Sequence, residues 1–334
     1  MSHDLDESTG KPAMAYVGEV PWHGLGEQLL PGQPIEKWVE AARLDWRIQM
    51  LPVQYHFQDR VRIMPGRFVL ARDDTGAALS VVSADYQVVQ PKEILEFYRD
   101  LVEERQYTLE TAGALDGGRK VWALAKTGLV ANVAGNAADK LGAYVLLATS
   151  CDKSLATTAT FTSIRVVCQN TLGFAFDDVK AHQRRHIKAD HTKKFDPTPI
   201  KKQLGLIDDA WSKFLDRIKP MAIRPLEGPD VQRYFESLFL SNKDLEEGNP
   251  PSNAKHQEIL QITSLFHSAR GQNIPTAKDT LWGGVNAVTN YVDHVRPTKS
   301  VERIDSAWFG AGATLKEKAW QRAMELIESD NQDK

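Results

Sequence analysis

Between Ser150 and Lys202 the chain gathers most of the side chains that could carry chemistry. Ser150-Cys151-Asp152 holds a thiol that a histidine such as His182 would activate as a nucleophile, although Asp152 beside it disfavours the thiolate. Arg165 offers a planar guanidinium that either pairs with Asp152 or faces a phosphate. In Cys168-Gln169-Asn170-Thr171, Asn170 or Thr171 would cap a following helix, and a helix start beside Arg165 makes a plausible anion site. Next comes a cationic run: Lys180, Arg184, Arg185, Lys188, Lys193, Lys194, Lys201 and Lys202, opposed only by Asp190 and Asp196. Such a run neutralises phosphates and releases counterions, giving salt-sensitive affinity largely independent of base sequence. Phe174, Phe176 and Phe195 flank it and could stack on bases. His182 and His186 have the i, i+4 spacing of a helical metal site, but no Glu lies between them and the surrounding cations repel a metal ion. Neither a metal nor a cofactor is expected.

The run stands out because the rest is mildly acidic: 41 Lys and Arg against 44 Asp and Glu give a net charge of -3. That balance argues against a general nucleic-acid coat, so distribution matters more than the sum. With 334 residues, 42% apolar and 25% charged, the chain has the composition of a globular protein of one large or two ordinary domains. No apolar stretch is long enough to span a bilayer, and the acidic start lacks the cationic character of a secretory signal. No membrane is expected, and a cytoplasmic location in a bacterial host is. Cys151 and Cys168 lack a CxxC spacing and are expected reduced.

The elements that must position these residues are legible as changes of period. Residues 1–33 are punctuated by Gly and Pro and read as an irregular wrap, held by Trp22, Leu25, Leu29 and Leu30. Short β-like runs follow from Trp46 to Val82, broken by Pro65-Gly66 and Asp73-Asp74-Thr75-Gly76. Pro91 opens an amphipathic helix with Ile94, Leu95, Tyr98, Leu101 and Val102 on one face. Asp116-Gly117-Gly118 turns a hairpin between Tyr107–Leu115 and Val121–Leu124. Ala143–Ala148 reads as a central strand, and Leu155–Val167 as a Thr-rich strand leading into a helix, with a bulge or bend near Ser163. Beyond residue 200 helical spacing dominates: Leu204 to Ile218, Val231 to Leu238, Leu281 to Val295 and Leu315 to Ile327. Asn242–Asn253 reads as a mobile loop, and Gly283-Gly284 inside a helical pattern predicts close approach by another backbone. The fold class is therefore α+β: a mostly antiparallel sheet with packed helices, followed by a helical C-terminal part. The division is an N-terminal wrap (1–33), an α+β core (34–180), a basic connector (181–203) and a helical region (204–334). No G-x-G-x-x-G or G-x-x-x-x-G-K-[ST] run supports nucleotide binding.

Several short stretches occur in a recognisable order. They are Met14-Ala15-Tyr16, Pro21-Trp22-His23-Gly24-Leu25-Gly26, Ser83-Ala84-Asp85-Tyr86-Gln87-Val88-Val89, Arg165 to Leu172, Thr280 to Thr289, Ser306-Ala307-Trp308-Phe309-Gly310 and Leu315-Lys316. Together they resemble the uncharacterised phage/plasmid-like protein family across nearly the whole chain. The resemblance implies a setting in prophages, plasmids and conjugative elements, but no catalytic residues.

The first functional expectation is a non-enzymatic nucleic-acid-binding protein of a mobile element. It would bind single-stranded DNA through Arg165 and the eight cations of the run, with a homo-oligomer as one way to promote annealing. The alternatives are an enzyme built on Cys151, Arg165 and His182, and an adaptor or assembly protein whose basic run docks an acidic partner.

Overall fold

The structure is a computed structural model that describes residues 5–21, 24–105, 107–168, 170–173, 186–189, 196–198, 202, 207–296 and 303–332. It is α+β, with a mostly antiparallel sheet and a helical C-terminal part. Strand order in the larger sheet is β10-β9-β8-β7-β6-β1-β2, with β11 also paired to β9; β3-β4-β5 form a second sheet. The strands are Met14–Val17 (β1), Glu27–Leu29 (β2), Ile48–Phe57 (β3), Arg60–Arg72 (β4), Ala78–Ser83 (β5), Thr108–Leu115 (β6), Lys120–Asn132 (β7), Lys140–Ser150 (β8), Thr157–Arg165 (β9), Asn170–Gly173 (β10) and His186–Ala189 (β11). The expected wrap at residues 1–33 thus supplies two strands: β1 pairs antiparallel with β6 and parallel with β2. Trp22 and His23, between them, lie outside the described residues.

The chain divides into two compact units. One holds residues 1–128, 144–161 and 179–206; the other holds 129–143, 162–178 and 207–334. The chain moves from one unit to the other within β7, β8 and β9.

In the first unit, β3 and β4 form a long hairpin whose register jumps from Pro52↔Phe68 to Gln54↔Ile63. Residues 64–67 bulge there, with Gly66 at φ 66°. Pro65-Gly66 therefore interrupts a strand rather than ending it. Trp46, Ile48, Leu70, Leu79, Val82, Tyr86 and Cys151 pack together as a hydrophobic core beside this sheet. Ile35–Ala41 forms α1. The helical stretch from Pro91 breaks near Phe97 and Tyr98 into Pro91–Glu96 (α2) and Arg99–Arg105 (α3). Gln90 and Glu93 form a capping box at the start of α2, and the Gln90 side chain also bonds both backbone groups of Ile48. The buried Tyr98 hydroxyl donates toward the carbonyls of Ala123 and Val145, tying the break to the sheet. Arg72 is fully buried between Asp6 and Asp74, with its guanidinium carbon 4.0 Å from the Trp46 ring centroid.

The helices of the second unit are Ile207–Ile223 (α4), Pro229–Ser237 (α5), Asn242–Glu247 (α6), Asn253–Ser268 (α7), Leu281–Asn290 (α8), Arg303–Trp308 (α9) and Ala311–Gln332 (α10). Every residue of α8 is buried, and α8 packs against α4, α7, α10 and β10. Burial on all sides is what its apolar and small-residue sequence requires. Thr280 caps it by accepting from the Gly283 N–H at 3.1 Å. A Cβ on Gly283 would lie 1.9 Å from the Ala277 carbonyl oxygen, so the expected close backbone approach is present, made by the segment leading into the helix. A π-helical turn, Tyr291–Val295, extends α8. The stretch expected to be a loop at 242–253 begins as α6, because Ser241 and Asp244 form a capping box.

One further expectation is corrected after β9. The chain does not enter a helix after Arg165; it turns at 166–168 and returns as β10, with Asn170↔Arg165 and Thr171↔Ile164 in register. The ladders that β9 forms with β10 and β11 have no register shift within them. The strand takes β10 along residues 162–165 and β11 along 157–160.

Candidate nucleic-acid interface

Of the cationic run, the described residues are His186–Ala189, 196–198 and Lys202. Lys180, Arg184, Arg185, Lys193, Lys194 and Lys201 lie outside the described residues, as do His182, Asp190, His191, Phe174, Phe176 and Phe195. Lys202 is exposed. The centre of the run is β11, antiparallel to β9 with His186↔Thr160 and Lys188↔Thr158. β11 is extended, so His186 is not on a helical face; its i, i+4 partner His182 lies outside the described residues. Among the described residues no group of three or more His, Cys, Asp or Glu could hold a metal ion.

Arg165 requires a correction. Its residue is 1% exposed, and its Nε and Nη2 donate to Asp139 Oδ1 and Oδ2 at 2.6 and 2.9 Å. Nη2 also donates to the Gly271 carbonyl at 3.1 Å. Asp139 further accepts from the Thr276 hydroxyl at 2.6 Å and the Trp282 indole at 3.3 Å. The guanidinium therefore serves an internal carboxylate, neither Asp152 nor a phosphate at the surface. The physical reason is desolvation: a fully buried cation is retained only with a paired, hydrogen-bonded anion.

Thr171 is likewise engaged internally. Its backbone N–H and hydroxyl reach Asp293 Oδ2 at 2.8 and 3.0 Å, and Lys316 Nζ donates to its hydroxyl at 2.8 Å. Lys316 also pairs with Asp293 at 2.8 Å. His294 Nε2 lies 3.2 Å from the Cys168 carbonyl oxygen. The Arg165–Leu172 stretch is thus fastened near both ends inside the second unit. Sequence reasoning flagged the stretch but missed the roles of Asp139, Asp293 and Lys316, because these partners come from positions distant in the chain.

Cys151 belongs to the first unit's core and is 5% exposed. Burial, with Asp152 adding to it, pushes the thiol up to about 12. A thiol so buried and so rarely ionised at neutral pH is a poor nucleophile, which counts against a reading built on it.

Two cavities further define the charged surface. An open cavity of about 650 Å3 in the first unit is lined by Glu27, Glu40, Asp45, Asp73 and Asp74, with Arg43 the one cation among its lining residues. Another, of about 450 Å3 in the second unit, is lined by Arg224, Arg233 and Arg322, which pair with Asp330, Asp230 and Glu325. The first has the wrong sign for a polyanion, and the cations of the second are already matched.

The architecture and these internal networks define a two-unit α+β protein whose described buried charges serve the fold. The family model for the domain of unknown function DUF932 matches residues 78–308, and the chain belongs to that family. No curated protein and no solved structure matches the chain. No helix among the described residues is long and apolar enough to cross a membrane.

Proposed function

We propose that this chain is a nucleic-acid-binding protein of a mobile element that takes single-stranded DNA on its basic run. The observation that carries the reading is the eight cations of Lys180–Lys202, opposed by two carboxylates, on a segment whose centre is the strand β11. The contacting residues are Lys180, Arg184, Arg185, Lys188, Lys193, Lys194, Lys201 and Lys202; Arg165 is no longer among them. A cation excess of this size within a mildly acidic chain favours a polyanion, and its affinity falls steeply with salt.

The test is fluorescence anisotropy with a single-stranded oligonucleotide at several salt concentrations. Binding at low salt is expected, with a log–log slope reduced by about 3 in the Arg184→Ala, Arg185→Ala, Lys193→Ala, Lys194→Ala variant, at about 0.7 per lost phosphate contact. No binding by the unaltered protein at low salt rejects the reading. The acidic cavity of the first unit favours a second reading, in which the run docks on an acidic surface of another copy. Light scattering without DNA separates the two, since that reading requires self-association that the same variant loses.

A further inference from the structure

The distal part of the β3–β4 hairpin extends past Arg67↔Ser83, the last rung shared with β5, and so lacks a third strand among the described residues. Its rungs are Gln54↔Ile63, Tyr55↔Arg62, His56↔Val61 and Phe57↔Arg60. Cross-strand partners share a face and successive residues alternate, which places Tyr55, Phe57, Arg60 and Arg62 together on one side. Gln54, His56, Val61 and Ile63 occupy the other. Tyr55 is 46% exposed and Phe57 is 54% exposed, and both arginines are exposed as well. The Arg62 guanidinium carbon lies 5.6 Å from the Phe57 ring centroid. Neither Arg60 nor Arg62 forms an ion pair with a carboxylate among the described residues. The nearest acid in sequence, Asp59, sits in the turn rather than on either face.

Two rings and two unmatched guanidinium groups on one exposed face form a stacking platform with adjacent phosphate contacts. We propose that this face is a base-stacking site for single-stranded nucleic acid. The inference rests on the nucleic-acid reading above and adds the groups that meet the bases. Charge selects the ligand, since the face carries two cations and no carboxylate. Ring exposure selects the strandedness: a duplex keeps its base faces stacked inside, whereas a single strand can offer them to Tyr55 and Phe57.

The experiment uses the full chain, an oligothymidylate, and a duplex of the same length as competitor. Three variants are compared: Tyr55→Ala with Phe57→Ala, Arg60→Ala with Arg62→Ala, and Val61→Ser with Ile63→Ser on the opposite face. Circular dichroism melts establish that each is folded. Loss of the two rings should weaken oligothymidylate binding at least about fivefold per ring with an unchanged salt slope. Loss of the two arginines should lower the slope by about 1.4. The opposite-face variant should bind like the unaltered protein, and the duplex should compete poorly. If the ring variant binds normally while the variant lacking Arg184, Arg185, Lys193 and Lys194 does not, the function stands and the stacking site is overturned. If the ring variant instead loses self-association in light scattering, the face is a contact between copies and the proposal also fails. An unaltered protein that binds no oligothymidylate overturns both readings.

Discussion

Arg165 and Asp139 form a two-point ion pair within the second unit, both side chains almost fully withdrawn from water. Thr276, Trp282 and the Gly271 carbonyl add to its hydrogen bonding. Removing one partner leaves the other charge buried and unmatched. Arg165→Ala should therefore destabilise the protein by about 3–5 kcal/mol in urea unfolding. Arg165→Lys, which keeps the charge but loses the planar fork, should fall in between. A loss below about 1 kcal/mol for the alanine variant would show that the pair does not carry this share of stability.

The two glycines in the first turn of α8 should behave differently. A methyl group on Gly283 meets the backbone oxygen of Ala277, which cannot rotate away. On Gly284 it meets the Leu226 Cδ2 at 2.8 Å and the edge of the Tyr234 ring at 3.0 Å, side-chain atoms rather than backbone. Gly283→Ala is expected to cost about 3 kcal/mol, the upper end for overpacking, and Gly284→Ala clearly less, because a gain in helix propensity of about 1 kcal/mol offsets much of its milder crowding. Thermal unfolding of the two variants decides the order.

Acid should weaken the first unit through Asp74. The hydrogen bond from Arg72, with its charge, holds this carboxyl below its ordinary value despite some burial. A depressed carboxylate contributes stability above its unfolded pKa, about 4, and that contribution is lost as pH falls through the lower folded value. Asp74→Asn should therefore melt earlier at neutral pH but show a shallower decline on acidification. Identical acid slopes in the two proteins would remove Asp74 from the account.

The Cys151 thiol should be silent in the native protein. With burial raising it to about 12, a brief iodoacetamide pulse at neutral pH is expected to leave Cys151 unmodified and to label it fully after denaturation. Peptide mapping reads the outcome. Rapid native labelling would restore the thiol as a candidate nucleophile.

Much of the architecture was legible because it rests on local signals. The Asp116-Gly117-Gly118 turn, the buried β8, the helical spacing of α4, α5, α8 and α10, and the tight packing implied by Gly283 all follow from neighbours in sequence. The misreadings share a cause. The segment after Arg165 has residues that would cap a helix, yet pairing with β9 makes it a strand. The Gly- and Pro-rich start has an irregular composition, yet β6 gives β1 a partner. Sheet pairing is a contact between distant segments, and local composition carries little record of it.

By itself the sequence determined which residues are charged, where the cations cluster, and which stretches repeat with a helical or a strand period. Tertiary structure alone decided what each charge faces. It turned Arg165 inward to Asp139 and enclosed Cys151, while leaving Arg60 and Arg62 beside Tyr55 and Phe57 in solvent. The reason is that solvation depends on everything packed around a group, and most of those neighbours come from far along the chain.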